Sequence, residues 1–191
     1  MHFQLNEFAK AKDALDFAAT CQKGDQPADF VYELLARTFL AMGDIQHAAD
    51  TIKQVPENKR RPYYRWTEAD VLCARKDFPG ARRVLLLSLE RDNRSRHKAL
   101  IRLARIEYLG RDFRRSMKYA RAAADFFREK WGGFLDDAVF WQALNAYRLH
   151  DHKLALELAK DLKERNPRYP KLGTLLAGLS RYSNEGIRKE T

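Results

Sequence analysis

The chain has 191 residues, 45% of them apolar and 32% charged, and its 36 Lys and Arg outnumber 26 Asp and Glu to leave a formal net charge of +10. That balance argues against bulk disorder, and no apolar run approaches the ~20 residues that a bilayer-spanning helix needs. Two cysteines, Cys21 and Cys73, make no disulfide framework, and residues 1–8 lack the basic and apolar regions of a secretory leader, so a reduced, cytoplasmic protein is expected.

Only nine glycines and six prolines stand among many Ala, Leu, Arg and Lys, a composition that favours helix over sheet. Apolar residues at helical spacing predict helices over 6–22, 28–42, 45–55, 62–75, 78–91, 96–109, 113–129, 135–149, 152–165 and 170–182. Leu85, Leu86 and Leu89 mark one such stripe, and Leu154, Leu158 and Leu162 another. Gly43 and Gly110 stand where a helix end wants a left-handed residue. Pro62 suits a first helical turn and Ser95 an N-cap. No stretch alternates apolar and polar residues for long enough to compete as a strand. The expected fold class is all-α.

A fixed internal offset organises these helices. Small residues lie 12 apart at Ala36 and Ala48, Ala69 and Ala81, Ala104 and Ser116, and Ala143 and Ala155, and successive units are separated by 33, 35 and 39 residues. Half-units flank them, with Ala14 lying 34 before Ala48 and Ala177 lying 34 after Ala143. A bulky or ring residue stands three before the second small residue: Ile45, Phe78, Phe113 and His152. Where two antiparallel helices cross closely, a side chain larger than Ala would push the axes apart, so each small pair marks a crossing. Stacked pairs then bury a continuous core that no single pair makes alone. The longest interval takes its extra residues in 128–134. Helix 113–129 is expected to outrun its counterparts and to break at Gly132 and Gly133, with Trp131 and Phe134 packed beneath the loop; the functional alternative is a flap beside a binding groove.

On the small-residue pairs, the turn residues Gly43 and Gly110, and Pro167 after the last pair, the chain resembles the tetratricopeptide repeat (TPR) family over residues 6–182. The resemblance implies an antiparallel helix-pair, right-handed superhelical solenoid. As one domain, 1–191, it would comprise an N-terminal helix (1–27), pairs at 28–61, 62–95, 96–130 and 135–167, and a C-terminal capping helix and tail (168–191). Glu68 and Gln142 depart from slots where the family prefers leucine, Glu107 from an apolar or aromatic slot, and Ser116 from a favoured alanine.

Little in the chain suits an enzyme. There is no glycine-rich phosphate loop, no Gly-x-Ser-x-Gly and no His-Glu-x-x-His. His150 and His152 fall in a turn, Cys73 reads as a packing thiol, and Asp136 and Asp137 sit at a helix start where acidic residues favour the dipole. No catalytic residue, metal ligand or cofactor is expected.

Charge is distributed unevenly. Residues 59–130 hold 21 Lys and Arg against 9 Asp and Glu, while the remainder holds 15 against 17. Such an excess serves either a solvated face or an anionic partner. A stripe on the first helix of each pair collects Phe30, Glu33, Arg37 and Leu40, then Tyr63, Trp66, Asp70 and Cys73. It continues through Lys98, Ile101, Arg105 and Tyr108 to Asp137, Phe140, Leu144 and Tyr147, with Arg148 beside it. The candidate partner-binding groove is Phe30, Arg37, Tyr63, Trp66, Lys98, Arg105, Tyr108, Phe140, Tyr147 and Arg148, in which aromatics anchor and Lys98, Arg105 and Arg148 orient acidic groups. The resemblance implies a peptide-binding module. One TPR subgroup captures a C-terminal carboxylate with Lys and Asn, but here Arg37, Asp70, Arg105 and Leu144 stand where its asparagines fall, so that specificity is not expected. The expected function is a non-enzymatic scaffold for an acidic, apolar-anchored protein segment. The alternatives are a nucleic-acid-binding helical repeat and a structural segment of a larger assembly. Exposed terminal helices leave the oligomeric state open.

Overall fold

The computed structural model describes residues 7–20 and 29–187, with side chains described as far as residue 180. Cys21, and the outer ends expected for helices 6–22 and 28–42, lie outside the described residues. Among those described there are ten α-helices and no strand: α1 (Phe8–Thr20), α2 (Asp29–Ala41), α3 (Ile45–Lys53), α4 (Pro62–Ala74), α5 (Phe78–Arg91), α6 (Arg96–Leu109), α7 (Phe113–Trp131), α8 (Asp136–Arg148), α9 (His152–Arg165) and α10 (Leu172–Ile187). A single 3-10 turn, Glu57–Lys59, precedes α4.

The chain forms two compact units, residues 1–94 and 95–191. In the first, α2 pairs with α3 and α4 with α5, α1 rests on α2, and α4 packs on both α2 and α3. In the second, α6 pairs with α7 and α8 with α9, α8 packs on α6 and α7, and α10 packs on α9 and α8.

The small residues sit at the crossings. Ala36, Ala48, Ala81, Ala104, Ser116, Ala143 and Ala155 are fully buried, and Ala69 is 1% exposed. The two flanking half-units depart from this pattern: Ala14 and Ala177 are exposed. Among the described residues α1 packs only on α2, and α10 only on α9 and α8. In α1 it is Ala11, not Ala14, that is buried.

A turn device repeats at the start of every second helix. Asp44, Asp77, Asp112 and Asp151 each accept the backbone N–H three residues on, at 2.9–3.1 Å, which satisfies one of the helix's orphan donors. The residue before each Asp is left-handed: Gly43 (φ 80°), Lys76 (64°), Arg111 (63°) and His150 (65°). Gly110 therefore does not take the role expected of it. Its φ is −76°, and Arg111, one residue later, carries the left-handed turn.

Several departures from the family pattern are polar contacts with partners. Ser116 Oγ donates to the Ala104 carbonyl at 2.7 Å and accepts from Asn145 Nδ2 at 2.7 Å, linking α6, α7 and α8 through one buried hydroxyl. Glu107, buried in α6, has Arg115 Nη1 at 3.9 Å. In the first unit, Arg60 Nη1 donates to Glu68 at 2.6 Å, while its Nε and Nη2 reach the Val55 and Ile52 carbonyls. The Tyr64 hydroxyl donates to the Ile52 carbonyl at 2.9 Å, and Arg65 to that of Glu57 at 3.1 Å, so the segment between α3 and α4 is held at several points.

The long α7 ends at Gly132, whose φ of 67° suits a left-handed cap. Trp131 packs at a tilt against Phe127 and meets His97 edge-on, with ring centroids 4.9 and 5.0 Å apart. Phe134, expected beneath the loop, is instead 67% exposed, with the Arg165 guanidinium over its ring 4.1 Å from the centroid.

Candidate protein-binding site

The stripe residues of the first unit divide between surface and interior. Phe30 is 53% exposed, and Arg37 is exposed beside Glu33, 3.7 Å away. Glu33 itself is buried and accepts the Thr67 hydroxyl at 2.6 Å. Tyr63 is half-buried and donates to Asp29 at 2.6 Å; burial first, and then that carboxylate, push its hydroxyl up to about 12. Trp66 is 8% exposed, with its indole N–H on Ser88 Oγ at 3.2 Å.

In the second unit, Lys98 is exposed, Arg105, Tyr108 and Tyr147 are half-buried, Phe140 is buried and Arg148 is exposed. Two of these converge. Arg148 Nε donates to the Tyr108 hydroxyl at 2.8 Å and its guanidinium carbon lies 5.8 Å from that ring's centroid, a bond that raises the guanidinium's pKa further. Tyr108 is in turn wedged between Phe113 and Trp141, at 5.3 and 5.4 Å. An arginine so fixed loses less rotamer freedom when it meets an anion.

Phe140, Leu144, Tyr147 and Arg148 of α8 face Leu175 and Thr174 of α10, with Lys171 just before it, across a trough of about 520 Å³. The contribution of α10 escapes a stripe read only from the first helices of complete pairs. Asp136 and Asp137, expected as capping residues, do lie in the first turn of α8, and they also accept Asn166 Nδ2 at 2.9 Å and the Tyr169 hydroxyl at 2.6 Å. The Tyr169–Asp137 bond repeats the Tyr63–Asp29 bond of the first unit. Among the described residues no three His, Cys, Asp or Glu side chains gather as a metal site, and no helix is long and apolar enough to cross a membrane.

A solved structure of a Podosopora anserina kinesin light chain-type protein with nearly identical TPR-like repeats superposes with a TM-score of 0.66, covering 85% of this chain and 88% of that one at 15% identity. The chain has a TPR-like fold. The C-terminal part of a TPR repeat-containing protein from Cytophaga hutchinsonii is 14% identical over 95% of this chain and 83% of that one, with a TM-score of 0.41. No family model and no curated protein matches the chain. In TPR terms, α2 and α4 are the first helices of the pairs in the first unit and α6 and α8 those in the second, where α10 packs on α8 and α9.

Proposed function

We propose that the protein is a non-enzymatic scaffold that holds an acidic, apolar-anchored segment of a partner protein against its first-helix face. The observation that carries this reading is the trough between α8 and α10. Its floor is Phe140, Leu144 and Leu175, its cations are Arg148 and Lys171, and no carboxylate lines it. Apolar side chains of a bound segment would enter the floor while its acidic groups meet the two cations, the usual division between anchor and rim. Lys98 and Arg105 are further contact positions in the second unit, and Phe30 and Arg37 are separate candidates in the first, where Trp66 and Tyr63 act through the helices they hold in place.

Selecting a random-peptide library on the intact protein tests this. Enriched peptides should pair Asp or Glu with large apolar residues. Leu144→Asp and Arg148→Glu should each weaken their binding by about tenfold or more. Arg114→Glu on α7, a second helix, should be nearly silent. Basic peptides, or peptides lost with Arg114→Glu and kept with Leu144→Asp, would remove the reading.

A further inference from the structure

A second cavity, of about 530 Å³, opens beside the trough, at the edge where the first helices turn into the second, and Tyr147 and Arg148 line both. Its walls are aromatic: Tyr108, Phe113 and Tyr147. Its polar groups are all basic or neutral, with Arg111, Arg148, His150 and His152 in the lining and no carboxylate. The nearest acids in sequence, Asp112 and Asp151, are the helix caps, each occupied by the backbone N–H it accepts. Arg148 is held by Tyr108, and Arg111 is an exposed residue on the left-handed turn at φ 63°. Neither arginine pairs with a carboxylate among the described residues.

Two guanidinium groups lining an aromatic-walled cavity, one of them held by Tyr108, match a dianion carried on a flat ring. A carboxylate brings one charge and leaves the second arginine unanswered. A phosphate monoester brings close to two charges at neutral pH and three acceptor oxygens, enough for both. We infer that this cavity receives a phosphorylated tyrosine side chain of the partner segment, its ring against the aromatic wall of Tyr108, Phe113 and Tyr147 and its phosphate on Arg111 and Arg148. The inference rests on the scaffold reading above and gives it a regulatory input, because phosphorylation of the partner would add Arg111, outside the trough, to the Arg148 that the trough and the cavity share.

The probe is N-acetyl-phosphotyrosine amide, titrated into the intact protein by calorimetry. It should bind saturably, with N-acetyl-tyrosine amide and inorganic phosphate each at least about tenfold weaker. Arg111→Gly removes the cation while suiting the left-handed backbone, and Arg148→Gln leaves a donor for Tyr108; each should weaken the probe by about tenfold or more. Arg114→Glu should leave it unchanged. Arg111 lies outside the trough, so Arg111→Gly should not affect unphosphorylated peptides selected for the trough, which separates failure of this inference from failure of the scaffold reading. Absence of binding, equal binding of the unphosphorylated probe or unchanged affinity in both arginine variants would overturn it. So would tighter binding of adenosine monophosphate, which would make the cavity a nucleotide site.

Discussion

Arg60→Ala is expected to lower the free energy of unfolding by about 3 kcal/mol at neutral pH, read from urea denaturation. Arg60 and Glu68 are only 9% and 11% exposed at their side chains, so solvent screens their attraction little. Truncating the arginine leaves Glu68 without its 2.6 Å partner and removes two donors from the Val55 and Ile52 carbonyls. Burial already holds the Glu68 carboxyl above the usual carboxylate range, with Arg60 the largest influence pulling it back. A carboxyl raised on folding binds its proton more tightly in the native state. Its contribution is therefore complete below the unfolded value of 4.5 and is lost as pH rises through the folded one. Without Arg60 that folded value climbs further, so the variant's deficit should shrink as the pH is lowered toward 4.5. Arg60→Met combined with Glu68→Leu should recover the part of the loss that comes from the unpaired Glu68 charge, since both charges leave together, while the two carbonyls still lack their Arg60 donors. A deficit that is independent of pH would show that the pair does not carry the effect.

Ala104→Leu should cost about 1–3 kcal/mol by overpacking. Ala104 is fully buried, and its own carbonyl receives the Ser116 hydroxyl at 2.7 Å. Room for three more carbons requires α6 and α7 to part, which lengthens that bond and disturbs the Asn145 amide bonded to the same oxygen. The matched control is Ala177→Leu, the same change at an exposed position of α10, which should leave the melting temperature nearly unchanged. Equal effects at the two sites would mean that the buried crossing is not what makes position 104 sensitive.

Ala104 was legible because its requirement is steric and recurs at a fixed spacing in all four pairs. Ala14 and Ala177 satisfied the spacing but not the requirement, since a crossing needs a second helix and spacing does not report one. Arg60 and Arg65 illustrate a different limit. Both count toward the basic excess, yet both are spent on carbonyls and Glu68 within the first unit, which composition does not reveal. The left-handed turn was visible at Gly43, where glycine advertises it. At Lys76, Arg111 and His150 only the following Asp marks it, and that recurrent Asp before a bulky residue is the signal that locates all four turns. Tyr108, Tyr147 and Arg148 were expected on one face, and they lie together. Their shared cavities were not legible, because one depends on α10 and the other on the backbone of two turns.

The scaffold reading is tested most directly by amide hydrogen exchange of the intact protein with and without a library-selected acidic peptide. Slowed exchange concentrated in α8 and the start of α10, with α7 and α9 unchanged, is the expected result. Slowing confined to α7 and α9 would place the partner on the opposite layer and contradict it.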